Sequence, residues 1–147
     1  MIIREMKKSD GEKVLEMMRV FYASDAVFSN GSEEIFKSDI ENCTNDSPYL
    51  AGYVFEDNGE ILGYAMTAKS FSTEFGKPCV WLEDLYIRPE HQGKGIGTEF
   101  LGFLESEYQG CIIRLEVEEE NKKAVHTYEK CGFDVLPYME MKKIVKS

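Results

Sequence analysis

Chemistry concentrates in one stretch of this chain, Gln92-Gly93-Lys94-Gly95-Ile96-Gly97-Thr98. It follows an apolar segment of strand type and opens a segment of helical periodicity. Glycines in such a place let the backbone come close to an anion. The unpaired N–H groups of a helix start, with the positive end of its dipole, then bind phosphate oxygens. Two commoner phosphate motifs fail here. A Gly-x-Gly-x-x-Gly pattern starting at Gly93 needs glycine where Thr98 stands, and a P-loop needs Ser or Thr where Gly95 follows Gly93-Lys94. What remains is Gln-x-x-Gly-x-Gly.

The elements that must position this stretch are legible on both sides of it. Ile2 to Met6 has strand character. Ser9 precedes Glu12 by three, a capping-box spacing, and Val14, Leu15, Met18, Phe21 and Tyr22 share one helical face behind it. A weaker helical pattern runs from Glu33 to about Asn42, with Ile35, Phe36 and Ile40 inward. Tyr49 to Glu56 and Ile61 to Ser70 flank Asp57-Asn58-Gly59-Glu60. Asn-Gly between apolar segments predicts a hairpin, because both residues tolerate positive φ. Cys79 to Arg88 reads as a third long strand, stopped by Pro89. Beyond the glycine-rich stretch the spacing predicts a helix from Gly97 to about Tyr108, with Phe100, Leu101 and Leu104 inward, and then a strand over Cys111 to Val117. A helix from about Lys122 to Cys131 follows, ended by Gly132 as C-cap, and one or two strands around Pro137 fill Phe133 to Val145. No linker or repeat interrupts this order, so residues 1–147 read as a single domain. The class is α/β (α+β), with a central mixed, mostly antiparallel sheet flanked by helices.

The Gln-x-x-Gly-x-Gly pattern, preceded by Leu85-Tyr86-Ile87-Arg88-Pro89, resembles the acyl-CoA-binding signature of the GNAT-superfamily N-acetyltransferases. In that family the strand before the loop splays from the next strand, and pantetheine lies in the gap. The strands in question are Val80 to Arg88 and Cys111 to Val117. The family's later signature, an Asn closing the second strand and then a helix bearing a Tyr before Gly-Phe, is matched by Asn121, Ala124, Tyr128, Gly132 and Phe133. The segment Trp81-Leu82-Glu83-Asp84-Leu85-Tyr86 is similar to the diamine (spermidine/spermine) acetyltransferases. One departure is Gln92, where many relatives carry Arg; Lys94 is the nearby residue able to bring a charge to the pyrophosphate.

The resemblance implies an enzyme that transfers an acetyl group from acetyl-CoA, as co-substrate, to a primary amine of a small cationic, polyamine-like molecule. Gln92, Gly93, Lys94, Gly95, Ile96, Gly97 and Thr98 would hold the pyrophosphate. The backbone of Leu85, Tyr86 and Ile87 would pair with pantetheine, and an N–H of that strand would face the tetrahedral oxyanion. Asn121 would bond the pantetheine arm, a role compatible with a helix N-cap. Tyr128 would protonate the departing thiolate, since a free phenol pKa of about 10 keeps its proton at pH 7. A lysine-like amine, with a free pKa of about 10.4, needs a base. Glu83 is the first candidate, because alternation sets it on the face of Leu85 and Ile87, and Asp84 on the opposite face is the second. Acceptors of another kind, a protein lysine or N-terminus, fit the same fold, as does a non-catalytic acyl-CoA sensor. The family often forms homodimers through terminal strands, for which Tyr138 to Val145 is the candidate here.

Composition narrows the partners. The 147 residues carry 27 acids and 17 Lys plus Arg, a net charge of −10. Such a balance disfavours nucleic acid and anionic membrane surfaces, which call for clustered Lys and Arg. No apolar run approaches the roughly 18 residues of a spanning helix. The start of the chain turns charged at Arg4, too early for a signal peptide, so a cytoplasmic protein is expected. Cys43, Cys79, Cys111 and Cys131 form no CxxC pair and read as reduced thiols. His91 and His126 are the only imidazoles and show no ligand spacing, so no metal is expected and His126 is given no role. Residues 24–60 hold nine acids against Lys37 alone. That stretch is expected on the side where a cationic amine enters.

Overall fold

A computed structural model describes all 147 residues. The chain forms β1 (Ile2–Glu5), α1 (Gly11–Tyr22), α2 (Glu33–Thr44), β2 (Leu50–Asp57), β3 (Glu60–Ser72), β4 (Lys77–Ile87), α3 (Ile96–Glu107), β5 (Ile112–Leu115) and α4 (Lys122–Lys130). The strands lie in the order β1-β2-β3-β4-β5. The first four pair antiparallel, and β5 joins β4 parallel through the crossover that α3 provides.

Strand alternation sends successive side chains to opposite faces, and each face is covered by its own helices. On one face Val14, Met17 and Met18 of α1 and Phe36 and Ile40 of α2 pack on Val54, Tyr64, Met66 and Tyr86. On the other, Phe100, Leu101 and Leu104 of α3 pack on Tyr53, Phe55, Leu62, Ala65 and Leu82, with Tyr128 of α4 against them. The β2–β3 hairpin turns at Asn58 and Gly59, with φ of 50° and 79°, as Asn-Gly predicts.

Several local expectations change. Ser9 caps nothing. The carboxylate of Asp10 instead accepts the Lys7 N–H at 2.8 Å and two bonds from Arg4, tying the start of α1 to β1. Ile35, expected inward, is 51 % exposed, because Phe36 and Ile40 alone supply the buried stripe of α2. The strand expected over Cys111 to Val117 shortens to β5, and the strands expected in Phe133 to Val145 do not form. A four-residue edge offers few ladder bonds to a following strand, and Pro137 removes one donor. The tail leaves Val135, Tyr138, Met139, Met141, Ile144 and Val145 exposed.

Candidate functional site

The glycine-rich stretch folds as a concave turn leading into α3. Gly93 and Gly95 adopt φ of 76° and 82°, which L residues rarely adopt, and a Cβ added at either would meet nothing within 4 Å. Gly95 is the N-cap of α3 and supplies no side-chain cap. The first backbone donor of the helix to find a partner is Glu99 N–H, on the Gly95 carbonyl at 3.0 Å. From Gly93 through Lys94, Gly95, Ile96, Gly97 and Thr98, no N–H has a partner within the protein. An anion at a helix start needs such a run of free donors. Ile96 buries its side chain in the core, so its N–H is the part it can offer. Gly97 is helical, and a Cβ added there would stand 4.0 Å from the Leu85 side chain. The Gln92 side chain donates to the Ile87 carbonyl at 3.0 Å and so shapes the loop. That bond occupies the Ile87 oxygen expected to pair with pantetheine. Tyr86, opposite Tyr64 and two residues from the Arg88 N–H that bonds the Leu62 carbonyl, turns its backbone groups to β3, so the Ile87 N–H and the groups of Leu85 are those left at the open edge. The Lys94 ammonium reaches only the His91 ring, at 3.4 Å.

Beside the loop, β4 and β5 part company. Their pairing runs from Cys79↔Ile112 to Leu82↔Leu115 and stops, while β4 continues to Ile87. The β4 edge from Glu83 onward lacks a β5 neighbour, because β5 itself ends at Leu115; this is where the gap implied by the family resemblance would lie. Glu83 itself sits in a bulge: Leu82 pairs with Thr67 and Asp84 with Met66, and Glu83 has no β3 partner. The bulge shifts the alternation, so that Leu82 and Leu85, three residues apart, both join the core under α3. Simple alternation therefore does not set the direction of Glu83.

Asp84 is 4 % exposed and cannot exchange protons freely with an acceptor. Its carboxylate accepts the Tyr22 hydroxyl at 2.9 Å and the Tyr64 hydroxyl at 2.7 Å. Burial raises its pKa, and the two tyrosine bonds oppose that rise. Glu83 is exposed, and burial of its surroundings, then Asp84 and Glu140, push it above the ordinary carboxylate range. Asp39 of α2 faces the same pair; burial first, then Asp84 and Glu83, push it up to about 6. Three carboxylates from two elements thus share one region: Asp84 makes both Glu83 and Asp39 harder to ionise, and Glu83 adds to the effect on Asp39.

Tyr128 is half-buried against the α3-side core, with its ring edge-on to Phe133 at 5.8 Å. Burial raises its pKa, so it holds its proton at neutral pH. Asn121 caps α4, its Oδ1 accepting the Ala124 N–H at 3.3 Å, which leaves its amide NH2 free to donate elsewhere. A groove of about 1130 Å³ is lined by Trp81, β5, Tyr128 and the tail but by none of residues 82–98.

The chain matches the Acetyltransferase (GNAT) family over residues 15–133. It belongs to that family. It is 32 % identical over 144 residues to the uncharacterized N-acetyltransferase YhfO of Bacillus subtilis, covering 91 % of this chain and 90 % of that one. It is also 29 % identical to the thialysine N-epsilon-acetyltransferase of Bos taurus, covering 89 % and 82 %. In fold it is similar to a possible acetyltransferase from Clostridium difficile, with a TM-score of 0.83, 18 % identity and coverage of 99 % and 98 %. The same holds for AAC(6')-Iy in complex with a bisubstrate analogue of CoA, with a TM-score of 0.78, 16 % identity and the same coverage. This GNAT chain is thus an acetyl-CoA-dependent N-acetyltransferase.

Tyr22 and Tyr64 meet at Asp84, a convergence of α1, β3 and β4 that local spacing does not reveal. Asp39 belongs to the acidic stretch of residues 24–60 expected on the amine side, and burial, Asp84 and Glu83 all raise its pKa. The nine acids of residues 24–60 do not all gather at the amine side. Glu56, Asp57 and Glu60 belong to the hairpin, where Glu56 pairs with Arg4 at 2.9 Å and Glu60 meets His91, next to the glycine loop, at 3.2 Å. Sequence proximity had grouped acids that the hairpin carries away. No helix is long and apolar enough to cross a membrane.

Proposed function

We propose that this chain acetylates the primary amine of a small cationic, polyamine-like acceptor. The observation that carries this reading is the convergence of Asp39 on Glu83 and Asp84 where the β4–β5 pairing ends. Carboxylates whose pKa is raised by neighbouring carboxylates, as those of Asp39 and Glu83 are, gain from a polycation brought among them. The name of the thialysine acetyltransferase relative supports an amine on a short side chain.

In this reading the free N–H groups from Gly93 to Thr98 bind the pyrophosphate of acetyl-CoA, with Gln92 shaping the loop and Lys94 adding charge. Leu85 and the Ile87 N–H pair with pantetheine along the open β4 edge, Tyr86 between them holds that edge to β3, and the Asn121 amide bonds its arm. Glu83 accepts a proton from the ammonium group. The amine lone pair then attacks the thioester carbonyl, the C–N bond forms, and collapse of the tetrahedral intermediate breaks the C–S bond. The Tyr128 hydroxyl gives its proton to the thiolate, the nitrogen of the adduct loses its extra proton to solvent to leave the neutral amide, and exchange with solvent then reprotonates Tyr128 and deprotonates Glu83. Placement of two reactants together supplies most of the acceleration.

The chain works as a homodimer in the same reading. The unpaired β5 edge and the exposed apolar tail of one copy suit those of another. Light scattering should give twice the chain mass, and a monomer at micromolar concentration would remove this part.

Free-thiol release from acetyl-CoA tests the activity, with thialysine, spermidine, spermine, neutral amino acids and lysine-bearing peptides as acceptors. Turnover is expected with the first three. Turnover confined to peptides would move the acceptor to proteins, and binding of CoA without turnover on any amine would make the chain a sensor.

A further inference from the structure

Asp84 is the more deeply buried of the two adjacent acids on β4, and both of its oxygens are engaged. Oδ1 takes the hydroxyl of Tyr22, the last residue of α1, and Oδ2 takes that of Tyr64 on the neighbouring strand. A carboxylate with both oxygens bonded by hydroxyl donors has a fixed place rather than a free proton site. Tyr22 extends the link. Its ring packs on Phe36 of α2 at 5.1 Å. A Cβ at Gly31 would run into that Phe36 ring and come within 3.4 Å of Tyr22, so the connection between α1 and α2 closes on the same two aromatics. Asp39, one turn beyond Phe36, belongs to the wall so held. On its other side Asp84 adjoins Glu83, which the bulge leaves without a ladder partner.

We infer that Asp84 is a positioning residue rather than a base: through Tyr22 and Tyr64 it locks the α1–α2 wall to the β4 bulge, and so sets where the acceptor amine lies relative to Glu83. The inference rests on the proposed role of Glu83, but the lock itself is physical and can be tested apart from it.

Tyr22→Phe removes one donor and keeps the ring, and Asp84→Asn keeps the shape. Each should speed amide hydrogen exchange across residues 20–36 by about tenfold, with the start of α3 and acetyl-CoA affinity unchanged. With thialysine as probe, each should raise the amine KM by about tenfold with kcat changed less than threefold. The double variant should be no worse than the worse single one. The acidic limb of the kcat/KM profile should survive in both and disappear only in Glu83→Gln. Unchanged exchange over residues 20–36 in Tyr22→Phe would overturn the lock, whether or not any amine is turned over. Loss of the acidic limb in Asp84→Asn, with Tyr22→Phe kinetically normal, would overturn positioning and make Asp84 the base. If Asp84→Asn fails to fold, Tyr22→Phe decides alone.

Discussion

At the scale of single residues, the site depends on which groups hold protons at neutral pH. Burial keeps Tyr128 protonated, as an acid toward a thiolate requires. Tyr128→Phe should lower kcat about 100-fold while calorimetry finds acetyl-CoA affinity unchanged. Glu83 works only when ionised, and its surroundings push its pKa above the usual carboxylate range. The rate should therefore climb with pH through a value higher than that of a free glutamate. Steady-state kcat/KM between pH 4 and 8 measures this, and Glu83→Gln should flatten the climb. Both candidates come from local sequence patterns, a Leu-Glu-Asp strand and a tyrosine before Gly-Phe. The bulge does not, since it exists only as a mismatch in register with β3. Asp39 was legible only as one of the nine acids of residues 24–60; which of them shares a region with Glu83 and Asp84 depends on how α2 packs.

At the scale of elements, the glycine loop and the β3 glycine make a useful contrast. Gly93 and Gly95 need their positive φ but have open space around them. Alanine at position 95 should cost about 1 kcal/mol through backbone strain alone. It should also raise the acetyl-CoA KM about tenfold and leave the amine KM unchanged, because the cradle and the carboxylates lie on different elements. Gly63 is different. Its φ is ordinary, yet a Cβ there would strike the Tyr86 carbonyl and the Phe55 ring. Gly63→Ala should cost more than about 2 kcal/mol in urea unfolding, since the obstacle is backbone that cannot yield. Sequence patterns found the hairpin, the helices α3 and α4 and the loop, because turn residues and apolar periodicity are local. They failed in the tail, where Phe133 to Val145 has strand composition. A strand also needs an edge to pair with, and the four residues of β5 leave the tail unpaired in a single chain.

Across the whole molecule, the charge of −10 separates into acids that are paired and acids that are not. Glu33 and Glu56 meet arginines. Asp39 has no cation among the groups that shift it, which are burial, Asp84 and Glu83, all raising. The consequence for stability has a definite sign. In the unfolded chain Asp39 gives up its proton near 3.8, and in the folded protein near about 6. Between those values the folded state binds more protons, so its stability is full below the lower value and declines as pH rises through the upper. A shift of about two units corresponds to about 3 kcal/mol, which half-exposure to solvent screens down to about 1 kcal/mol. Asp39→Asn should therefore be more stable than the native chain by about 1 kcal/mol at pH 7.5 and equal to it at pH 4 in urea unfolding. Equal stability at both pH values would mean that Asp39 is free of its neighbours. The same measurement reports on the acceptor. A cation among Asp39, Glu83 and Asp84 removes the repulsion that the substitution removes, so spermidine at pH 7.5 should stabilise the native chain more than the variant. Equal stabilisation of the two would place the polyamine elsewhere on the acidic surface.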